Sequence, residues 1–335
     1  MATTTKANPE LNQNENNSYK ILEDLISINL KEPENTKESL KSSEKKNRKP
    51  LKAIFKYTNP RFIIILFTII LVLTGTSTTS IAILKFNKIG SVQILNSAFT
   101  PKPNKVYVNG GALPEFATTI NIAGLTEVKL EWDAPFASCK NMFKDLKDVL
   151  EMDLSNFDSS LVSDTSSMFQ NCNQMTSLNL DNFDTSLVTN MVSMFQDNPY
   201  LKKLDIRHFE TSNVIDMSNM FYSRTNLTTL DLSNFNTEKV TGMGQMFKNC
   251  LSLQSLDLSN FKTSSVTSMY CLFSFNKQLS SLNIRGFDTQ KVYHFSYMFE
   301  SCYKLTSIDV SFFDLSSGSR FIGMFKTNSY LEVVN

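Results

Sequence analysis

Apolar and polar positions along most of this chain recur with a period of 26 residues. Met-Phe pairs fall at Met142-Phe143, Met168-Phe169, Met194-Phe195, Met220-Phe221, Met246-Phe247, Met298-Phe299 and Met324-Phe325, and Leu272-Phe273 fills the one gap. A second phenylalanine keeps the same step at Phe157, Phe183, Phe209, Phe235, Phe261, Phe287 and Phe313. Fixed self-similarity of this kind predicts a stacked array in which each unit buries its face on its neighbours. Within one unit, Leu227, Leu230 and Leu232 have the LxxLxL spacing of a strand whose leucines point inward, so the strands should stack as a parallel sheet. Thr237, Val240, Met243, Met246 and Phe247 follow at spacings of three, three, three and one, a stripe that reads as a short helix opened by a capping Thr. The pattern therefore predicts an α/β repeat, a solenoid with a parallel strand stack and short helices. The periodic Met-Phe pairs read as its core, since methionine fills irregular gaps.

A different pattern precedes the array. Residues 62–84, FIIILFTIILVLTGTSTTSIAIL, hold no charged side chain and are long enough, as a helix, to cross a bilayer. Seven Lys or Arg lie between Lys45 and Arg61, against four Lys in the 21 residues after the stretch, which by the positive-inside rule puts the N-terminus in the cytoplasm. The expected organisation is a largely disordered, basic-ended cytoplasmic tail over 1–61, one transmembrane helix over 62–84, a stalk and N-terminal cap over 85–124, and the solenoid over 125–335. The run LTEVKLEW at 125–132 should open the array. The expected localisation is the cell membrane, single-pass, with the repeats extracellular.

Charge and composition narrow the function. The chain has 33 basic and 32 acidic residues, which argues against a nucleic-acid partner. It holds two histidines, His208 and His294, so the commonest general base and metal ligand is scarce. Five cysteines, without a CxxC pair, indicate neither a disulfide framework nor a zinc site. Cys172, Cys250 and Cys302 share one repeat column too widely spaced for bridging, and Cys139 falls in a core column. Cys271 falls in a polar column and is the thiol expected to react. No cofactor, no metal and no catalytic set is expected, because every paired acid is a copy imposed by the repeat.

Units such as LNLDNFDTSLVTNMVSMF at 178–195 closely resemble the BspA-type leucine-rich repeat family of bacterial surface proteins, also called DUF285 or the mycoplasma surface repeat family. The resemblance covers residues 125–334. It implies a leucine-rich-repeat-like solenoid and a cell-surface protein that adheres to extracellular or host ligands, whether protein or glycan. A variable surface coat without one ligand is the alternative, and a surface hydrolase a weaker third. The chain departs from many members in lacking a lipobox cysteine, and Phe stands where ordinary leucine-rich repeats carry an Asn ladder.

The open, concave face of the strand stack is the candidate ligand surface. Its column between the second and third apolar positions reads Asp153, Asn179, Asp205, Asp231, Asp257, Asn283 and Asp309. A row of carboxylates about 5 Å apart repels itself, so Asp205, Asp231, Asp257 and Asp309 point to a basic partner, a cation, or hydrogen bonds to neighbouring Asn, Ser and Thr. Leu331 and Val334 fall where a further strand would start, which makes this edge a candidate for end-to-end self-association.

Overall fold

The computed structural model describes residues 79–334. They open on strand β1 (Ser80–Gln93), where Ser80, Ala82, Leu84 and Phe86 are buried and Ile81, Ile83 and Lys85 are not. That two-residue alternation, with β-branched isoleucines and a polar second half, suits a half-buried strand. It corrects the expected membrane helix over 62–84, whose last five residues belong to β1; residues 62–78 lie outside those described. Among the described residues no helix is long and apolar enough to cross a membrane. Single-pass anchoring, with a cytoplasmic N-terminus and extracellular repeats, is thus unsupported.

Strands β2 (Lys105–Val108), β3 (Gly111–Ala112), β4 (Thr119–Trp132), β5 (Val149–Asp153) and β6 (Ser177–Asn179) join β1 in a six-stranded sheet of order β3-β2-β4-β1-β5-β6. β1 and β4 pair antiparallel along their whole length, from Ser80–Trp132 to Gln93–Thr119. The run 125–132 lies in β4, yet it is β1 that meets the first repeat strand, antiparallel to β5. Trp132 closes the junction: its ring packs on Phe136 and Phe157, and its indole N–H donates to the Pro101 carbonyl.

Beyond β5 the chain winds in 26-residue coils. β5 and β6 pair in parallel one period apart, as do β7 (Ser255–Asp257) with β8 (Ser281–Asn283) and β9 (Ser307–Ile308) with β10 (Val333–Val334). A second line of parallel bridges runs Ser138, Asp164, Asn190, Asp216, Gly242, Ser268, His294, Arg320. Between the two lies the core. Met142 through Met298 of the Met-Phe column are fully buried, and Phe143, Phe169, Phe195, Phe221, Phe247, Phe273, Phe299 and Phe325 stack at centroid distances of 5.2–6.0 Å.

The short helices of the expected leucine-rich-repeat solenoid are a second correction: among the described residues there is no α-helix. The stripe Thr237, Val240, Met243, Met246 is a chain of tight turns, in which Val240 N–H donates to Thr237 O and Met246 N–H to Met243 O. The residues that these closures join fall three apart along the chain, which imitates a helical face. Two positions per coil then take left-handed φ of 52–65°, from Asn141 and Asp145 to Gly323 and Thr327. A left-handed residue breaks a helix at a cost of about 1–2 kcal/mol. Here it turns alternate N–H groups toward the next coil, as in Cys139 to Asp164 O, Asn141 to Ser166 O, Phe143 to Met168 O and Asp145 to Gln170 O. Hydrogen bonds between coils replace those a helix would make within itself.

Candidate binding surface

The acidic column lies where each repeat strand gives way to its turn. Asp205, Asp231 and Asp257 are exposed in three consecutive coils, and Asn283 separates them from Asp309. Each side chain closes its own turn by accepting the backbone N–H two residues on: Asp153 from Ser155, Asn179 from Asp181, Asp205 from Arg207, Asp231 from Ser233, Asp257 from Ser259, Asn283 from Arg285 and Asp309 from Ser311, at 2.9–3.4 Å. This is the Asx turn, a local bond these short side chains make readily. It holds each carboxylate within its own coil, which outweighs the residual repulsion of Asp231 by Asp205.

The carboxylates are also acidic. Asp205 sits at about 2, chiefly through the Arg207 side chain, whose Nη2 lies 2.6 Å from Oδ2. Asp231 and Asp309 are lowered first by the hydroxyls of Ser233 and Ser311, and Asp257 by the Ser259 backbone N–H. All four are ionised at neutral pH. Among the described residues no group of three or more His, Cys, Asp or Glu could hold a metal ion.

The five thiols are free and buried. Cys139, Cys172, Cys250 and Cys302 are fully enclosed, and burial pushes the last two to about 12. Cys271 departs from expectation. It occupies a left-handed position with 2 % exposure, and burial raises its thiol, which disfavours the reactive thiolate.

Two ladders were missed, and a third column was read without its hydrogen bonds. In the DTS segment the threonine is a staple between coils: Thr237 Oγ1 donates to Lys262 O at 2.9 Å and accepts Lys262 N–H at 2.8 Å. Thr185, Thr211 and Thr263 do the same one period apart. An asparagine ladder also exists, one residue before the periodic Phe: Asn182, Asn234 and Asn260 donate to carbonyls of the preceding coil. The column Cys172, Asn198, Arg224, Cys250, Asn276, Cys302, Asn328 was legible as a column but not as a hydrogen-bonded ladder; its members from Cys172 to Cys302 are buried. The recurrence of Thr and Asn in fixed columns was the available signal.

A family model described as a Mycoplasma protein of unknown function, DUF285, matches residues 137–255 and 223–333. No curated protein and no solved structure matches.

Proposed function

The chain belongs to the DUF285 family, and on that premise we propose that its coils form an adhesin-like binding scaffold that holds a partner protein or glycan and catalyses no reaction. The observation that carries this reading is a surplus of charge in the acidic column. Asn179 and Asn283 close the same turn in the same way as their aspartate neighbours, so the fold needs an Asx side chain there and no negative charge. Asp205, Asp231 and Asp257 nevertheless supply an exposed carboxylate in three consecutive coils, and Asp309 a half-buried one further on. A row about 5 Å apart matches a basic segment laid along the stack.

The column itself provides the substitution that tests this. Asp205→Asn, Asp231→Asn and Asp257→Asn together keep every turn and remove three charges. Full-length wild type should bind immobilised basic matrix glycoproteins saturably and with salt sensitivity, and the triple variant should bind at least tenfold more weakly while melting at the same temperature. Equal binding by the variant rejects the ladder. Absence of saturable binding by wild type rejects the scaffold and favours a coat without a specific ligand.

A further inference from the structure

A second stretch of the coil, beside the line of single parallel bridges, gathers aromatic side chains, of which Tyr293 is exposed and Tyr270, His294 and Tyr297 are half-buried. Tyr270 and His294 lie in neighbouring coils with ring centroids 4.8 Å apart, Tyr293 lies 6.3 Å from His294, and Tyr297 meets Tyr270 edge-on at 6.4 Å. Tyr293 is 43 % exposed. The fold does not require these rings. In other coils Tyr270 is replaced by Ser218 and Ser296, His294 by Ser138 and Ser268, and Tyr293 by Thr189, Thr241 and Thr267.

On the N-terminal side of the rings the surface falls away to backbone. Gly242 and Gly244 occupy the columns of His294 and Tyr270 in the preceding coils. A Cβ on Gly244 would meet nothing closer than the Tyr270 carbonyl at 3.8 Å, so the space above it is open. A Cβ on Gly242 would fall 2.3 Å from Asp216 Oδ1, so the Asp216 carboxylate already overlies that glycine. Asp216 commits Oδ1 to the Ser218 N–H, and its other oxygen has no partner among the described residues. The result is a notch with the Asp216 carboxylate, seated over Gly242, on one side, Gly244 as its open floor, and the Tyr270 ring with His294 one coil beyond on the other. From the coil of Asp216 to that of Tyr270 is two strand spacings, about 10 Å.

We propose that this notch is a glycan-binding subsite, in which a pyranose ring lays its CH face on Tyr270 and His294 and donates a hydroxyl to Asp216. Two observations choose this occupant. A cationic ligand, which an aromatic cage would otherwise suit, is opposed by Arg320, one coil beyond His294, and by Lys326, whose Nζ stands 5.7 Å from the Tyr297 ring centre. A folded protein needs about 800 Å² on each side, far more than four rings over two coils present. A sugar is small, largely uncharged and rich in hydroxyls, and it fits a carboxylate facing aromatic rings. The subsite is separate from the acidic column and does not depend on it.

The test uses the full chain on immobilised oligomers of N-acetylglucosamine, galactose, mannose and glucuronic acid. Wild type should bind at least one of them saturably and be displaced by the free sugar. Tyr270→Ser and His294→Ser, which restore residues found in the same columns, should each weaken binding at least tenfold, and Gly244→Ser should do so by filling the notch. The Asp205, Asp231, Asp257 triple Asn variant should retain it, so the two readings fail separately. If one ring variant does not fold, judged by circular dichroism, the other two decide. No retention on any of the four glycans, or unchanged binding in folded ring variants, overturns the proposal.

Discussion

Arg224 interrupts a column that otherwise satisfies itself. Asn198 accepts the Cys172 N–H and donates to the carbonyls of Phe169 and Phe195; Asn276 accepts from Cys250 and donates to Phe247 and Phe273. Arg224 can only donate. It is fully buried, its Nη2 reaches Leu201 O at 2.7 Å, and Nε and Nη1 have no partner among the described residues. Burial lowers the guanidinium from 12.5 to about 10, so it stays charged at pH 7. At 1.36 kcal/mol per tenfold, that enclosure costs about 3 kcal/mol. Arg224→Asn abolishes this cost and presents an acceptor to the Asn198 N–H. Against it stands a void on the order of 60 Å³, worth about 1.5 kcal/mol at 24 cal/mol per Å³. The net expectation is a gain of about 2 kcal/mol, or roughly 4–8 °C in Tm for a domain of this size. Arg224→Met, which keeps the stem and drops the charge, should also stabilise. The sign with pH follows: a cation with a depressed folded pKa destabilises below that pKa, so the advantage of both variants should fade as pH rises through about 10. Calorimetric melting of the full chain at pH 7 measures the effect. A lower Tm in both variants would refute the reasoning, since it would mean that the guanidinium is compensated in solution.

Two further predictions probe the ladders. Thr237→Val leaves the Lys262 N–H and carbonyl without their staple and should lower stability by about 2–4 kcal/mol, whereas Thr237→Ser loses one methyl, about 1 kcal/mol; urea midpoints that fail to separate the two would deny the hydroxyl its role. Arg207→Ala should let the Asp205 carboxyl rise from about 2 toward 3.9, visible by NMR titration. A depressed carboxylate contributes stability present above its unfolded value and lost as pH falls through its folded value, so any loss in this variant should appear above pH 4 and vanish below pH 2.

The register of the coils was legible because burial repeats with the sequence: one inward Phe of the Met-Phe column implies the seven others. The conformation between registers was not. Thr237, Val240, Met243 and Met246 recur every three residues whether the backbone makes turns or a helix. What excludes the helix is a pair of left-handed residues per coil, and those sites hold Asn, Asp and Ser but also Gln245, Cys271, Phe275 and Tyr297, side chains that announce no such conformation. Residues 80–84 misled for a related reason. Five uncharged residues extend an apolar count, yet their alternation with Lys85 and Asn87 is a strand signal that such counting averages away. The acidic column was found as a row, but its Asx turns depend on backbone direction at the strand end.

The left-handed pairs also give the coils a polarity that accounts for the N-terminal sheet. Along 139–145 alternate N–H groups donate forward to the next coil, so the first coil turns its carbonyls outward at this stretch. A helix or a loose stalk abutting there would leave them unanswered. The sheet answers with donors: Asn96 gives its backbone N–H to Met142 O and its side-chain amide to Lys144 O, and the Ile81 N–H reaches Asn156 O near the strand side. Ion pairs of Lys85 with Glu151 and Lys88 with Asp148 fasten the same seam. β1 must therefore stand between β4 and β5, because the segment that carries Ile81 and leads directly into Asn96 is the one that can supply donors to both sides of the first coil. The 80–132 sheet is in this sense the complement of one end of the repeat, fixed by the direction in which the coils donate.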